Sequence, residues 1–179
     1  AGNAAVLKKG KGKTKFYIGC AKWGRKDWIG KLYPKGTKEK DFLHHYATQF
    51  NSIEFNGFFY NVHSREQVQK WVNEVPKGFL FCPKFTQSIT HIRRLKNARK
   101  EVDTFLDVIS AFGDHLGPVF LMPHPQMGVK HLETIEEFIN DIPKDIDVFL
   151  QGLDVMFSIA AHFEGLDFID LGSGFKVPY

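Results

Sequence analysis

Cysteine is scarce in this chain. Only Cys20 and Cys82 occur among its 179 residues. They form no CxxC motif and no second pair, so the composition excludes a disulfide scaffold and a cysteine-rich zinc site. This usage fits a reducing compartment.

Long apolar runs are absent as well. No segment approaches the roughly 20 apolar residues that a membrane-spanning helix needs, and the N-terminus lacks the apolar core of a signal peptide. The chain carries no H-E-x-x-H motif, and no Gly-rich phosphate loop follows its first apolar run. We therefore expect a soluble cytoplasmic protein with no membrane association, no metal and no cofactor. The sequence does not indicate an oligomeric state.

Most of the positive charge lies at the start of the chain. The formal net charge is +4, and the composition is otherwise ordinary for a globular protein apart from 18 phenylalanines. The early lysines lie in a Gly/Ala-rich stretch without apolar periodicity: Lys8, Lys9, Lys11, Lys13 and Lys15. We predict a flexible basic lead-in over residues 1–15 and a single domain over residues 16–179. The lead-in is interpreted as a solvated tail, with a nucleic-acid-binding arm as the alternative.

Short apolar runs alternate with segments of helical periodicity. The predicted strands are 16–20, 52–56, 79–82, 118–122 and 146–150, and the predicted helices are 40–50, 64–75, 98–112 and 132–142. This alternation predicts an α/β fold of βα units with a parallel sheet. An open doubly wound sheet and a TIM (β/α) barrel are both compatible with it. The missing phosphate loop and the polar residues at the strand ends favour the barrel, although a complete one typically needs about 250 residues.

The run F-N-S-I-E-F-N-G-F-F-Y from Phe50 to Tyr60 is the most informative segment. Glu54 and Asn56 alternate with apolar residues, so a strand would direct them to the face opposite the apolar side chains. By itself this pattern also fits a half-exposed strand whose polar face is solvated. At the end of a barrel strand, the same residues would face a ligand at the mouth.

Further polar and aromatic residues follow the other predicted strands. We predict catalytic roles for Glu54, Lys84 and His91, and ligand contacts for Trp23, Asn56, Tyr60, Arg94 and His124. A carboxylate and a histidine suit proton transfer, whereas cationic groups suit an anionic ligand. The structural alternatives are a hydrogen-bond network at the strand ends, aromatic core packing and a solvated arginine corner.

Six segments in order carry a resemblance to a known family. They are Y-I-G-C-A-K-W, D-W-I-G-K-L-Y-P, F-N-S-I-E-F-N-G-F-F-Y, F-L-F-C-P-K, S-I-T-H-I-R-R-L and L-G-P-V-F-L-M-P-H-P. Over about residues 16–150 the chain resembles the domain of unknown function 72 (YecE-like) family. The resemblance implies a TIM barrel and a bacterial-type cytoplasmic protein, but no established reaction. The likeness of some members to endonuclease IV-type barrels suggests nucleic-acid or phosphate ligands, yet this chain lacks the metal-ligand cluster of those enzymes.

The match departs from the family pattern after the fifth predicted strand. Members usually continue with a Glu-x-Arg-His type motif and further strands, whereas here Gln151 is followed directly by G-L-D-V-M-F-S-I. We therefore expect about two strand–helix units to be missing between Gln151 and Gly152, leaving an incomplete barrel.

Three functions remain open at this point. The first is an enzyme, a hydrolase or isomerase acting on a small anionic, sugar- or nucleotide-like ligand, with Glu54 as general base and Lys84 stabilising negative charge. The second is a non-catalytic nucleic-acid-binding protein that uses the lead-in and an arginine pair, Arg93 and Arg94. The third is a truncated fragment without activity.

Overall fold

The computed structural model describes residues 15–150. The predicted lead-in, apart from Lys15, and the junction between Gln151 and Gly152 lie outside the described residues. The regular elements, in chain order within each class, are helices α1 (Phe42–Ala47), α2 (Gly57–Tyr60), α3 (Arg65–Asn73), α4 (Arg99–Ile109) and α5 (Leu132–Asp141), strands β1 (Ser52–Phe55), β2 (Leu80–Pro83), β3 (Val119–Leu121) and β4 (Val148–Leu150), a π-helical turn (Ser88–Ile92), and 3₁₀ turns (Lys26–Trp28, Glu39–Asp41, Ser110–His115, Val129–His131).

The four strands run parallel and follow one another in chain order. β1 pairs with β2 and β3 with β4, both in parallel register. Two isolated parallel bridges, Phe81 to Leu116 and Lys84 to Phe120, connect the two pairs. The predicted α/β fold with parallel strands is confirmed. Within residues 15–150 these strands form small, open sheets and not a closed barrel.

The prediction of a first strand over 16–20 is wrong, because this segment forms no regular strand. The segment lies beside β1, where the Asn51 and Glu54 amides donate to the carbonyls of Ile18 (3.3 Å) and Cys20 (3.2 Å). The Asn51 side chain takes the place of backbone partners: its Oδ1 accepts from the Ile18 amide at 2.7 Å and its Nδ2 donates to the Phe16 carbonyl at 2.8 Å. This side-chain bonding interrupts the strand ladder. Phe16 and Ile18 remain 75% and 65% exposed.

The four predicted helices are present, and each is shorter than its predicted range. Ser64, the first residue of the segment predicted as helix 64–75, caps α3, because its Oγ accepts a hydrogen bond from the Gln67 amide at 3.2 Å. The helix predicted over 98–112 ends as an α-helix at Ile109 and continues as a 3₁₀ turn. Within that turn Gly113 adopts a φ of 53°, which an α-helix cannot accommodate.

The strands have two unlike faces. One, here named the covered face, carries Ile53, Phe55, Phe79, Phe81, Val119 and Leu121, all of them buried in the hydrophobic core. The Phe81 ring lies 4.7 Å from Phe112 and 5.0 Å from Phe79 between ring centroids, which shows how closely this layer is packed. The other, the open face, carries Ser52, Glu54, Leu80, Cys82 and Lys84.

Candidate functional site

A largely buried ion pair lies on the open face. Lys84 Nζ is 3.0 Å from Glu54 Oε1, and the two side chains are only 8% and 17% exposed. The strand register explains the contact. Glu54 pairs with Cys82, and Lys84 lies two residues further along β2, on the same face as Cys82. The two side chains therefore converge on one face of the paired strands.

Asn56 completes the environment of the Glu54 carboxylate. Its Nδ2 donates to Glu54 Oε1 at 3.1 Å and to the Ala21 carbonyl at 3.5 Å. The sulfur of Met122, just after β3, lies 4.0 Å from Lys84 Nζ. A methionine after a strand gives no polar signal, so sequence reasoning did not include Met122 in the site.

His91 lies in the π-helical turn that follows β2, where the sequence suggested a loop. Its Nδ1 is 2.8 Å from Thr90 Oγ1, and its ring lies edge-on to those of Phe59 and His124 at centroid distances of 5.1 and 5.2 Å. Burial lowers the pKa of His91, and the nearby His124 and Lys84 lower it further. His91 is therefore electrostatically linked to the ion pair. π-Helical turns often occur at functional sites.

A left-handed loop follows this turn. Arg94, Leu95 and Asn97 have φ angles of 51°, 66° and 51°, which is costly for residues with a Cβ atom. The Arg94 guanidinium donates to Gln126 Oε1 at 2.8 Å, while the Gln126 amide donates to His124 Nδ1 at 3.1 Å. Arg94 and His124 thus share one neighbour, Gln126.

Arg93 does not accompany Arg94. Its Nε lies 2.7 Å from Glu101 Oε1 on α4, so this guanidinium already has a carboxylate partner. Of the predicted arginine pair, only Arg94 is directed to the residues around His124.

The two predicted aromatic contacts lie apart from the ion pair. Tyr60 is 68% exposed, and its ring packs edge-on against Phe59 at 5.0 Å. Trp23 instead packs in the aromatic layer of the covered face, 4.8 Å from Phe55 and 5.8 Å from Trp71. The structure therefore brings Glu54, Asn56 and Lys84 into contact, and it pairs the rings of His91 and His124. Arg94 is linked to His124 through Gln126, and Tyr60 reaches His91 only through the Phe59 ring, whereas Trp23 lies on the other face.

Other histidines do not gather into a metal-binding group. His44 and His45 are sequence neighbours whose rings lie 5.5 Å apart at 74°. Across residues 15–150, no group of three or more His, Cys, Asp or Glu side chains is arranged to hold a metal ion. Over the same residues, no helix has the length and apolarity that crossing a bilayer requires.

Comparison with known sequences places the chain in a family. The sequence profile described as "Protein of unknown function DUF72" matches residues 17–155. The chain belongs to this family. It is similar to the UPF0759 protein YecE of Escherichia coli, with 26% identity over 132 residues that cover 74% of this chain and 46% of that protein. It is also similar to the UPF0759 protein YunF of Bacillus subtilis, with 34% identity over 79 residues that cover 44% of this chain and 27% of that protein.

Solved DUF72 structures resemble the fold. A DUF72 family protein from Thermotoga maritima superimposes with a TM-score of 0.61 at 22% identity, covering 75% of this chain and 54% of that one. One from Enterococcus faecalis gives a TM-score of 0.58 at 18% identity, covering 75% and 50%. This chain therefore spans about half the length of the structures it matches and less than half of the curated relatives.

Proposed function

We propose that the DUF72 chain is an enzyme of hydrolase or isomerase type that binds a small anionic, sugar- or nucleotide-like ligand at its strand ends. In this proposal residues 16–179 form one domain of TIM-barrel type. The parallel strands in chain order support such an architecture, since a barrel is built from consecutive βα units.

The observation that carries the proposal is the Glu54–Lys84 ion pair on the open face. Removing two charged groups from water is costly, and a buried ion pair seldom adds more stability than apolar residues of similar size. A functional role accounts for its presence better than a structural one. In the proposed site Glu54 acts as general base and Lys84 stabilises negative charge on the ligand.

The ligand contacts follow from the neighbouring groups. Asn56, Arg94 and His124 offer polar side chains, and Tyr60 offers an exposed ring on which a sugar or base can pack. Trp23 enters the site in this proposal only if its ring leaves the aromatic layer around Phe55.

Binding of ribose phosphate tests the proposal directly. The probes are inorganic phosphate and ribose phosphate, with ribose as the uncharged control, followed through the NMR signals of the histidine rings in the 179-residue chain. Both anions should shift the signals of His91 and His124, and ribose should not. Lys84→Met should weaken binding about tenfold or more, because a charge-assisted hydrogen bond of about 1.5–3 kcal/mol is lost.

Lys100→Met is the matched control, because it removes a lysine charge from α4 and should leave binding unchanged. Near-UV circular dichroism checks that each variant is folded. Equal binding by the two lysine variants, or no response to either anion, would contradict the proposed site.

A non-catalytic nucleic-acid-binding protein is the second candidate. Arg94, whose one hydrogen-bond partner within residues 15–150 is the neutral Gln126, and the exposed Tyr60 ring favour it. Fluorescence anisotropy of a labelled single-stranded oligonucleotide, measured at several salt concentrations, distinguishes this candidate from the proposed enzyme. Affinity that falls steeply with salt supports this candidate, since released counterions then dominate binding.

A further inference from the structure

The Lys84 ammonium has few acceptors around it. Its Nζ lies 3.0 Å from Glu54 Oε1 and 4.0 Å from the sulfur of Met122. A thioether is only a weak acceptor, whereas an ammonium group has three hydrogens to donate. Nζ forms no further hydrogen bond within residues 15–150, and the side chain is only 8% exposed. The charge of Lys84 is therefore stabilised mainly by Glu54.

The two oxygens of Glu54 are used unequally. Oε1 accepts from Asn56 Nδ2 at 3.1 Å and lies 3.0 Å from Lys84 Nζ. Oε2 forms no hydrogen bond within residues 15–150. One oxygen therefore holds the carboxylate in place, and the other can exchange a proton with a ligand bound beside Lys84.

The residue type at position 84 offers more than a positive charge. An arginine would pair with a carboxylate or a phosphate through two parallel hydrogen bonds, and it is the usual cation of a buried ion pair. Lys84 contacts a single carboxylate oxygen instead. A primary amine differs from a guanidinium in its reactivity, because an amine that has given its proton to a neighbouring base can attack a carbonyl carbon.

We propose that Lys84 forms a Schiff base with the carbonyl group of an open-chain sugar phosphate, and that Glu54 carries the protons for this step. The proposal rests on the proposed function and deepens it, because it names the aldehyde or ketone form of a sugar phosphate as the substrate class. It also favours the isomerase over the hydrolase, since an iminium withdraws electrons from the adjacent carbon and makes its C–H bond acidic.

The step balances without any further reactant. Glu54 accepts a proton from the Lys84 ammonium, and the neutral amine forms a C–N bond to the carbonyl carbon. A proton then moves from this nitrogen to the former carbonyl oxygen, which becomes a hydroxyl. Glu54 returns its proton to the hydroxyl, the C–O bond breaks, and water leaves as the nitrogen lone pair forms the C=N bond. Lys84 ends as a positively charged iminium beside the carboxylate, so the pair retains both charges.

Reductive trapping tests the proposal. Ribose phosphate is added to the 179-residue chain together with cyanoborohydride, which reduces an iminium to a stable amine, and peptide mass spectrometry locates the labelled lysine. Lys84 should be labelled about a hundredfold faster than the exposed Lys100, because a positioned acid–base group assists only Lys84. The mass gain should equal the sugar phosphate less one oxygen atom. Labelling of Lys84 no faster than that of Lys100 would overturn the proposal.

Lys84→Arg separates the nucleophile from the charge. It keeps a cation beside Glu54 and removes the primary amine. The rapid labelling of the intact chain should disappear in the folded variant, while ribose phosphate should still shift the histidine signals. Rapid labelling that persists would identify another lysine as the nucleophile and overturn the proposal.

Glu54→Gln tests the proton carrier. Labelling of Lys84 in the folded variant should slow about a hundredfold, because an amide can neither accept the ammonium proton nor return it to the leaving hydroxyl. An unchanged labelling rate would overturn the role of Glu54.

Two further probes separate this proposal from the proposed function. Ribitol phosphate has no carbonyl group, so it should shift the signals of His91 and His124 without labelling Lys84, whereas glycolaldehyde has a carbonyl group and no phosphate. Binding of both phosphates without rapid labelling overturns the Schiff base and leaves the proposed binding site standing. Rapid labelling of Lys84 by glycolaldehyde, without a response to either phosphate, overturns the anionic ligand class and leaves the Schiff-base chemistry standing.

Discussion

The covered and open faces belong to the same strands, yet they are built on different principles. On the covered face, Phe55 and Phe81 lie in a continuous layer of rings beneath the helices. On the open face, Glu54 and Lys84 form an ion pair that is mostly out of water. Neighbouring residues of one strand therefore have different roles, one in the core and one in the ion pair, because successive side chains project to opposite sides of a sheet.

The difference between the faces shows where stability and function are separated. Apolar packing on the covered face lowers the free energy of the fold in proportion to the area buried. The ion pair on the open face costs desolvation and gains little in return. We therefore expect substitutions on the covered face to act through stability, and substitutions on the open face to act through binding as well.

The largest predicted effect is on the covered face. Phe81→Ala should lower the free energy of unfolding by about 4 kcal/mol, because it leaves a cavity among close-packed rings. Urea denaturation followed by far-UV circular dichroism measures this change. Leu80→Ala is the matched control from the same strand, and with its partly exposed side chain it should cost only about 1 kcal/mol. Equal losses in the two variants would remove the distinction between the faces.

The second predicted effect concerns the ion pair. Glu54→Gln and Lys84→Met should each destabilise the fold by about 3 kcal/mol, because each leaves one desolvated charge without its partner. The double variant should recover most of that loss. The same urea titrations give the coupling energy between the two residues.

Asp27→Asn is the control for the ion pair. It disrupts the exposed Arg25–Asp27 pair, whose side chains are 41% and 55% exposed, and should change the free energy of unfolding far less than the open-face variants do, because water screens exposed charges. If the Glu54 and Lys84 variants cost no more than this, the open-face pair is effectively solvated and the reason for a functional role is lost.

The smallest predicted effect is a pH dependence at the edge of the covered face. The ring of His63 lies among those of Phe55, Phe58 and Trp71, and its buried Nε2 has no hydrogen-bond partner within residues 15–150. Burial lowers the pKa of His63, opposed by a hydrogen bond with the Gly57 backbone. Stability from His63 is present above its unfolded pKa of about 6.5 and is lost as the pH falls through the lower folded value.

Urea titrations between about pH 7.5 and pH 5.5 test this effect, since that interval spans the ordinary histidine pKa. The free energy of unfolding should fall with decreasing pH, and His63→Phe should make the fall smaller. The pH dependence that is left in His63→Phe includes a contribution from His91, whose pKa is also lowered by burial. Identical curves for wild type and His63→Phe would show that His63 is not the titrating group.

The sequence predicted the elements whose signals are local. The Ser64 cap follows from residue type and spacing alone, and β1 follows from its apolar alternation. The left-handed loop at Arg94 and Leu95 could not be predicted, because it contains no glycine to mark its positive φ angles. The position of Trp23 could not be predicted either, since a ring after a strand can pack on either side of the sheet.

The order of apolar and polar residues by itself determined that this chain forms consecutive parallel strands, with Glu54 on the face of β1 opposite its apolar side chains. The periodicity of a strand decides which of its side chains lie on the same face, and this periodicity can be read directly from the sequence. Only the tertiary structure decided that Lys84 reaches Glu54 and that His91 meets His124. Those contacts depend on strand register and on the π-helical turn, which arise from packing between segments distant along the chain.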